Sequence, residues 1–372
     1  MSEFPESDRR AALNGLPLRP ELCGMEPYGA PQLDVPIMLN VNENTHSFPE
    51  DAHRAIVDAV DAAVKGLNRY PDREFTVLRS ALADYLGHGL SADQIWAANG
   101  SNEVLQQILQ AFGGPGRKLL SFPPTYSMYP LLARGTGTEY ISGQRAEDFT
   151  LSAESAAAQV EQYQPDLVVL CSPNNPTGTA LELEVIEAVY RAGEASRTVV
   201  IVDEAYAEFR QAGTPSALEL LPGRDRLIVT RTMSKAFALA GARLGYLAAA
   251  PAMTDALRLV RLPYHLSALT QAAAVAALEC SGSLLRNVED IKVQRDRIVD
   301  GLKSLGLEPA RSDSNFVFFR GVKDPHSLWQ GLLDQGILVR DVGLPHSLRV
   351  TAGTAEETDA FLNALPSLLN QA

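Results

Sequence analysis

The sequence predicts an α/β protein built on a mostly parallel mixed β-sheet flanked by helices, followed by a smaller α+β lobe. Short apolar runs recur between residues 95 and 250, and most are separated by segments with the three-to-four-residue apolar period of amphipathic helices. Apolar runs without polar alternation suit strands covered on both faces, and helical crossovers suit parallel pairing. After about residue 283 the pattern changes to a long charged helix followed by short strands and helices.

The large part of the fold is predicted to begin with helices. Residues 50–66 carry an apolar stripe typical of a helix packed on a core, and a loop at 68–72 separates this helix from a second one over about 75–86. A further helix is expected to begin at Ser101, after the turn Asn99-Gly100. The stripe consists of Ala55, Ile56, Ala59, Val60, Ala63 and Val64. Strands are predicted at 95–98, 118–122, 166–171, 198–202, 227–230 and 244–249.

The C-terminal part is predicted to form a lobe of its own. Helices are expected at 286–305, at 325–335 and at the C-terminus, with strands at 315–319, 337–340 and 348–351. We therefore predict three parts. Residues 1–47 form an N-terminal arm that joins the small domain, 48–283 form the large cofactor-binding domain, and 284–372 form the C-terminal small domain.

Composition excludes several classes of function. The 372 residues carry 32 Lys and Arg against 45 Asp and Glu, a net charge of −13, and no segment concentrates basic residues as nucleic acid or an anionic membrane would require. The N-terminus lacks a basic start followed by an apolar run, and no apolar segment approaches the roughly 20 residues of a membrane span, so we predict a cytoplasmic protein. Cys23, Cys171 and Cys280 are widely spaced, which favours buried structural thiols. The six histidines show no metal-ligand spacing, and no metal is predicted.

Lys235 is the centre of the predicted site. It ends the motif Thr232-Met233-Ser234-Lys235, with Arg243 downstream and Asp203 upstream at the end of an apolar run. A lysine amine has an ordinary pKa of about 10.4 and becomes a nucleophile only where its surroundings remove the charge. A carboxylate at the end of a buried strand can keep a pyridine nitrogen protonated, while hydroxyls and a guanidinium suit a phosphate. Together these groups could hold an aldehyde cofactor, although most lysines are simply exposed.

With these motifs the chain resembles the fold-type I aminotransferases that depend on pyridoxal 5'-phosphate (PLP). The resemblance implies that Lys235 binds the cofactor as an internal aldimine, that Asp203 faces the pyridine nitrogen, and that Tyr206 and Asn175 donate to the phenolic oxygen. It also implies that Tyr126 stacks on the ring, and that Tyr70 reaches the phosphate of the neighbouring subunit in a homodimer. The phosphate is expected to lie in a cup formed by Gly100, Ser101, Asn102, Thr232, Ser234 and Arg243.

Simpler interpretations stay open for several of these residues. Asp203 could be a helix cap or a solvated turn residue, residues 172–178 could be only a turn, and Ser101 could be only an N-cap. Tyr126 could be a core aromatic, and Tyr70 could pack locally.

Further motifs narrow the resemblance to the histidinol-phosphate aminotransferase family. They are the segments 39–44, 68–72, 100–103, 172–178, 203–206, 230–245, 261–264 and 315–316. The resemblance implies amino-group exchange between L-glutamate and imidazole-acetol phosphate in L-histidine biosynthesis, with histidinol phosphate and 2-oxoglutarate as products, by ping-pong kinetics. Arg349 is expected to anchor the anionic group of the substrate. Arg340 is a second candidate, unless it pairs with Asp341, and Tyr28, Asn42 and Asn44 are expected at the imidazole end.

Four other functions share parts of this pattern. Aromatic amino-acid aminotransferases share this frame, and so does a PLP-dependent decarboxylase of phospho-amino acids or a β-lyase. A ligand-sensing transcription regulator would need a DNA-binding domain, and the roughly 45 residues before the first core helix fall short of the ~50 that a domain usually needs.

Overall fold

The computed structural model describes residues 12–13, 15–25, 29 and 31–369. The chain divides into two compact units, residues 1–33 and 34–372. In the first unit a 3-10 turn spans Pro20–Leu22. Cys23 follows it with an exposed side chain, so the prediction of a buried thiol is wrong at this position; a segment this short has no core to bury it. Tyr28 lies outside the described residues.

Helices and strands alternate through the second unit. The α-helices are Glu50–Val64 (α1), Thr76–Leu86 (α2), Ser101–Phe112 (α3), Met128–Thr136 (α4), Ala153–Tyr163 (α5), Leu183–Ala192 (α6), Pro251–Val260 (α7), Ala268–Glu279 (α8), Ser281–Leu284 (α9), Arg286–Ser304 (α10), Pro325–Asp334 (α11) and Ala355–Leu369 (α12). The strands are Ile37–Met38 (β1), Ile95–Ala98 (β2), Lys118–Ser121 (β3), Glu139–Ser142 (β4), Leu167–Cys171 (β5), Val199–Asp203 (β6), Leu227–Thr232 (β7), Gly245–Ala249 (β8), Glu308–Pro309 (β9), Phe316–Arg320 (β10), Ile337–Leu338 (β11) and Ser347–Thr351 (β12). The predicted order of elements is confirmed, with ends that differ by a few residues.

A seven-stranded mixed sheet forms the centre of the fold, in the order β2-β8-β7-β6-β5-β3-β4. Only β8 runs antiparallel to its neighbours, and the other pairs are parallel. Strands β5 to β8 are buried along their whole length, as their continuous apolar sequences predict. The predicted fold class is therefore confirmed.

The carboxyl ends of β5, β6 and β7 meet at one edge of this sheet. Cys171 pairs in register with Asp203, and Asp203 pairs with Thr230. Open α/β sheets bind ligands at this edge, because the loops that leave the strands there diverge and leave a crevice. The sequence after each of these strands carries the predicted site residues.

Two local features differ from the sequence analysis. Strand β4 was not predicted, because it lies at the edge of the sheet, where its two central residues are only half-buried and no continuous apolar run is needed. Helix α1 forms as predicted, but its apolar stripe is only partly buried: Ile56 packs against the core, whereas Val64 is 50% exposed, and Ala52 is the one fully buried residue of the helix. Ala55 and Ala59 instead line a surface groove between α1, α2 and α8.

The C-terminal elements form two small sheets. Strand β10 pairs antiparallel with β12 and β9, and β1 pairs parallel with β11. Residues 39–42, called the strap below, continue from β1: the Leu39 amide donates to Leu338, and the Leu39 carbonyl accepts from the Thr351 amide. These bonds hold the strap against the ends of β11 and β12. The predicted domain boundaries remain a prediction.

Within the described part of the chain, no single helix has the length and hydropathy that a membrane span requires. Helices 268–279 and 281–304 satisfy the criterion only as a pair, across a bend of 73°.

Candidate active site

Asp203 ends β6 with its carboxylate inside the protein. The side chain is 2% exposed, its Oδ2 accepts from the Tyr129 hydroxyl at 2.8 Å, and its Oδ1 accepts from Thr230 Oγ1 at 3.2 Å. Among the described residues no basic side chain forms an ion pair with it. Burial raises the pKa of this carboxyl, and the two hydroxyl donors oppose the shift. The alternative of a solvated turn residue is therefore excluded.

Lys235 faces the strap across the same crevice. Its Nζ donates to the carbonyl oxygen of Val41 at 3.0 Å. The pKa of the amine is lowered to about 8, mainly by burial; the positive charges of Arg349 and Arg243 contribute to this shift, and Glu43 opposes it. A substantial fraction of the amine is thus neutral near physiological pH, as a nucleophilic lysine requires.

Three consecutive carbonyl oxygens of the strap accept hydrogen bonds from side chains elsewhere in the fold. The Asn40 carbonyl accepts from Arg349 Nη2 at 2.7 Å, that of Val41 from Lys235, and that of Asn42 from Asn315 Nδ2 at 3.0 Å. The strap therefore joins the crevice of the large sheet to the C-terminal strands.

Tyr206, Asn175 and Arg349 form a chain of hydrogen bonds beside Lys235. Asn175 Nδ2 donates to the Tyr206 hydroxyl at 3.4 Å, and its Oδ1 accepts from Arg349 Nη1. Tyr206 is 5% exposed, and burial raises the pKa of its phenol, against the opposing effects of Arg349 and Asn42. Arg349 also lies over the Phe316 ring at 5.0 Å, so its guanidinium is held in one plane. The structure brings these three predicted residues together.

The predicted phosphate cup is also brought together. Gly100 caps α3 with φ +85°, and a Cβ at this position would collide with the guanidinium of Arg243. Arg243 Nη1 donates to Ser234 Oγ at 3.4 Å, and Thr232 Oγ1 donates to the same Ser234 Oγ at 3.0 Å. Backbone N–H groups at the start of α3, two hydroxyls and one guanidinium thus surround a common space, a combination that suits a phosphate.

The remaining predicted residues divide into two groups. Tyr126 is close to the cup, where its hydroxyl donates to Asn102 Oδ1 at 3.2 Å, and Asn44 Nδ2 donates to the carbonyl of Ala236, next to Lys235. Arg340 pairs through its backbone with Arg349, whereas Tyr70 is 80% exposed and stacks on Tyr264 with 4.5 Å between ring centroids.

The alternative ion pair between Arg340 and Asp341 does not form. Asp341 Oδ1 accepts from the Gly343 amide instead. Groups of three or more His, Cys, Asp or Glu side chains arranged to hold a metal ion are absent from the described residues.

Sequence reasoning missed the residues that hold the predicted ones in place. Tyr129 and Thr230 bond the Asp203 carboxylate, and Thr351 and Asn315 bond Asn42. Thr230 could have been found, because parallel strands end at one edge and Thr230 pairs in register with Asp203. Tyr129 lies three residues after Tyr126, but nothing in the local sequence indicates that its hydroxyl reaches β6.

Comparison with known proteins shows the family of this chain. The family model described as aminotransferase class I and II matches residues 35–365. The chain is 71% identical to the histidinol-phosphate aminotransferase of Paenarthrobacter aurescens over 364 residues, which cover 98% of both chains. It is 56% identical to the histidinol-phosphate aminotransferase of Thermobifida fusca, again over 98% of both chains.

Solved structures show the same architecture. The crystal structure of histidinol-phosphate aminotransferase from Sinorhizobium meliloti in complex with pyridoxal-5'-phosphate superposes with a TM-score of 0.85 at 26% identity, covering 95% of this chain and 98% of that one. Aspartate aminotransferase from Thermus thermophilus superposes with a TM-score of 0.78 at 22% identity, over 94% of this chain and 99% of that one, and shows the fold alone.

Proposed function

The chain belongs to the histidinol-phosphate aminotransferase family of the class I and II aminotransferases, and on this premise we propose that it is a PLP-dependent enzyme of L-histidine biosynthesis. It exchanges an amino group between L-glutamate and imidazole-acetol phosphate. The observation that carries the proposal is that one sheet edge holds both a buried carboxylate, Asp203, which has no cationic partner among the described residues, and a half-buried lysine of lowered pKa, Lys235.

The site fits PLP by the chemistry of its donors. The buried Asp203 carboxylate would be stabilised by a protonated pyridine nitrogen, and the cup around Gly100 and Arg243 offers a phosphate both backbone N–H groups and a guanidinium. Lys235 would hold the aldehyde, and Tyr126 would face the ring. When bound, PLP supplies an electron sink for the carbanion that forms at the substrate Cα.

The residues of this chain perform the proton transfers and the orientation. Once the amine of the substrate has replaced it at the aldehyde, the freed amine of Lys235 would take the proton from the substrate Cα, because its lowered pKa makes it a base at neutral pH. Tyr206 and Asn175 would donate hydrogen bonds to the phenolic oxygen of the ring. Arg349, already fixed by Asn175 and the strap, binds the anionic group of either substrate, and Arg340 on the neighbouring backbone pair adds positive charge.

The other functions considered are not favoured. Relatives at 71% and 56% identity over nearly the whole chain bear the histidinol-phosphate aminotransferase name. An aromatic amino-acid aminotransferase or a phospho-amino-acid decarboxylase would share the cofactor residues but has no support from these relatives.

Spectroscopy of the half-reaction tests the proposal. Purified protein loaded with PLP should absorb visible light. Histidinol phosphate should abolish this absorption more efficiently than phenylalanine or tyrosine does. Lys235→Ala should lose both the absorption and the transamination while keeping the wild-type thermal unfolding midpoint within a few degrees. Wild-type rates in Lys235→Ala, or colourless wild-type protein at saturating PLP, would refute the proposal.

We infer a homodimer in which Tyr70 serves the neighbouring site. Large apolar side chains are exposed along residues 57–77 and 259–264, and the Tyr70–Tyr264 stack joins the two segments. Among them, Tyr70 is 80%, Leu262 76% and Val77 69% exposed. A contiguous apolar surface of this kind is typical of an interface, and a second copy of the chain would cover it.

A subunit-mixing experiment tests this arrangement. Lys235→Ala and Tyr70→Phe chains are each expected to be impaired, but a hybrid dimer contains one site with both an intact Lys235 and an intact Tyr70 if the tyrosine acts across the interface. Activity should therefore reappear on mixing and re-equilibration. No recovery in confirmed hybrids would place the action of Tyr70 within its own chain.

The compartment and the domain limits belong to the same proposal. A biosynthetic enzyme whose substrates are small and anionic suits the cytoplasm, and we propose that location. We retain residues 48–283 as the large domain, with 1–47 and 284–372 contributing the small one.

A further inference from the structure

We propose that Asn42 is a positioning residue that holds Tyr206 through its amide, and that it is not a contact for the imidazole of the substrate. This inference rests on the proposed function, because Tyr206 acts on the ring of PLP. It replaces the role that the sequence suggested for Asn42 with one that follows from its hydrogen bonds.

All hydrogen-bonding groups of Asn42 are engaged inside the protein. Its Nδ2 donates to the Tyr206 hydroxyl at 3.0 Å, and its Oδ1 accepts from Thr351 Oγ1 at 3.2 Å. Its backbone amide donates to the same Thr351 Oγ1 at 3.0 Å, and its carbonyl accepts from Asn315 Nδ2. With 2% of the residue exposed, little surface is left for a ligand to contact.

These contacts also orient the amide. Thr351 Oγ1 can donate only to the oxygen of the Asn42 side chain, which turns the nitrogen toward Tyr206. The Tyr206 oxygen thereby accepts from two amides, that of Asn42 and that of Asn175. Among residues 31–369 its own proton has no acceptor, so the hydroxyl is left to donate into the crevice.

The backbone of Asn42 is held in a conformation that few residues adopt. Its φ is +58°, in the left-handed region that glycine enters freely, asparagine and aspartate enter at moderate cost, and other residues avoid. Asparagine is therefore one of few side chains that can combine this turn of the strap with an amide directed at Tyr206.

The position has a chemical consequence for the neighbouring phenol. A hydroxyl whose oxygen accepts an N–H is a stronger donor, because hydrogen bonds in series polarise one another. Stronger donation to the phenolic oxygen of PLP stabilises the anionic form of that oxygen, which lowers the pH at which the loaded protein changes its visible absorption. Loss of Asn42 should therefore raise the midpoint pH of this absorption change.

The test compares Asn42→Gly with wild-type protein by pH titration of the visible absorption after loading with PLP. Glycine accepts the φ of the strap without strain and removes only the amide. We expect the midpoint to rise by about 0.5 pH unit, which corresponds to one hydrogen bond of ordinary strength. Asn42→Ala should show the same shift with a lower Tm, because alanine adds the cost of the left-handed backbone.

Two further variants separate positioning from a general structural effect. Thr351→Val removes the group that orients the Asn42 amide without touching Tyr206, and it should shift the midpoint in the same direction by less. Gln164→Gly is the matched control, since Gln164 is exposed and left-handed (φ +44°) at the end of α5, and the midpoint should not move.

Either of two results would overturn the inference. The first is a midpoint in Asn42→Gly equal to that of wild-type protein. The second is a KM for histidinol phosphate raised more than tenfold in Asn42→Gly, which would restore Asn42 as a substrate contact. Wild-type protein without visible absorption would instead refute the proposed function, so the two failures are distinguishable.

Discussion

Asp203 and Glu204 are adjacent acidic residues at the end of β6, equally buried at 2% exposure, yet their surroundings differ completely. Glu204 Oε2 pairs with Arg231 Nη2 at 2.7 Å, and its Oε1 accepts from the Ala217 amide at 2.7 Å. The Ser216 hydroxyl donates to the same carboxylate. Asp203 accepts from neutral donors, the hydroxyls of Tyr129 and Thr230 and the backbone amide of Ala205, and forms no ion pair with a basic side chain among the described residues.

Glu204 is therefore a carboxylate whose cationic partner belongs to the protein, whereas the cationic partner of Asp203 has to be supplied by a ligand. Burial alone would lower the pKa of Arg231, but the carboxylates of Glu204 and Glu208 outweigh it and raise that pKa, so this ion cluster is charged in the protein as it stands. The Asp203 carboxyl is shifted in the opposite sense for an acid, toward its neutral form. A cationic ligand ring would complete Asp203 as Arg231 completes Glu204.

The largest expected effect is that of Asp203→Asn on catalysis. Asparagine keeps the shape but cannot keep a pyridine nitrogen protonated, so kcat should fall by about a thousandfold. The free energy of unfolding of the PLP-free protein should stay equal to wild type or rise, because a buried charge without a cation is removed. Steady-state kinetics and denaturant unfolding measure the two quantities, and a variant that loses stability but keeps its rate would contradict the comparison.

Glu204→Gln should show the opposite balance. Glutamine leaves the buried Arg231 with Glu208 as its remaining carboxylate at 3.0 Å, and the free energy of unfolding should fall by about 3 kcal/mol. The kcat of the folded fraction should change much less than in Asp203→Asn. Wild-type stability of this variant in denaturant unfolding would show that the ion cluster does not stabilise the fold.

Tyr129→Phe sharpens the comparison at Asp203 itself. It removes the donor to Oδ2 and adds no charge, so the carboxylate is held less firmly and PLP should bind about tenfold more weakly. Titration of apoprotein with PLP measures the change. Tyr140→Phe is a matched control, because it deletes a hydroxyl bonded to Ser121 Oγ at 2.6 Å far from the carboxylate, and an equal loss of affinity in both variants would exclude a specific role for Tyr129.

The smallest effect concerns pH and the stability of the PLP-free protein. An acid whose pKa is raised in the folded state keeps its proton longer there than in the unfolded chain, where the ordinary value is 3.8. Between about pH 4 and the raised pKa of the folded state, folded Asp203 therefore binds more protons than unfolded Asp203, and wild-type stability falls relative to that of Asp203→Asn as pH rises through this window. Unfolding of both proteins at several pH values checks the sign. A wild-type stability that rises relative to that of Asp203→Asn with increasing pH would refute it.

The sheet and the cofactor residues could be predicted because their signals are local. Asp203, Lys235 and the cup around Gly100 each follow a buried strand or begin a helix, and the carboxyl edge of a parallel sheet brings such positions together whatever the loops do. The contact of Asn42 with Tyr206 could not be predicted in this way. It joins residues 164 positions apart through one amide, and no periodicity encodes it.

The surroundings of the apolar stripe of α1 could not be predicted for a related reason. Periodicity shows that one face of a helix is apolar but not what covers it, and here the face lines a surface groove. Tyr129 shows the same limit at the site, since its hydroxyl looks like that of any other core tyrosine until the distance to β6 is known.

The strap has a consequence for how the protein is made. Asn42 and Thr351 are 309 residues apart, and their contact closes almost the whole length of the chain. During synthesis the N-terminal end leaves the ribosome first. The contact between Asn42 and Thr351 cannot form until the final strand has emerged, and until then the strap is accessible to chaperones. A nascent polypeptide thus cannot assemble a complete catalytic centre, and a ribosome that stalls before residue 351 releases a product without one.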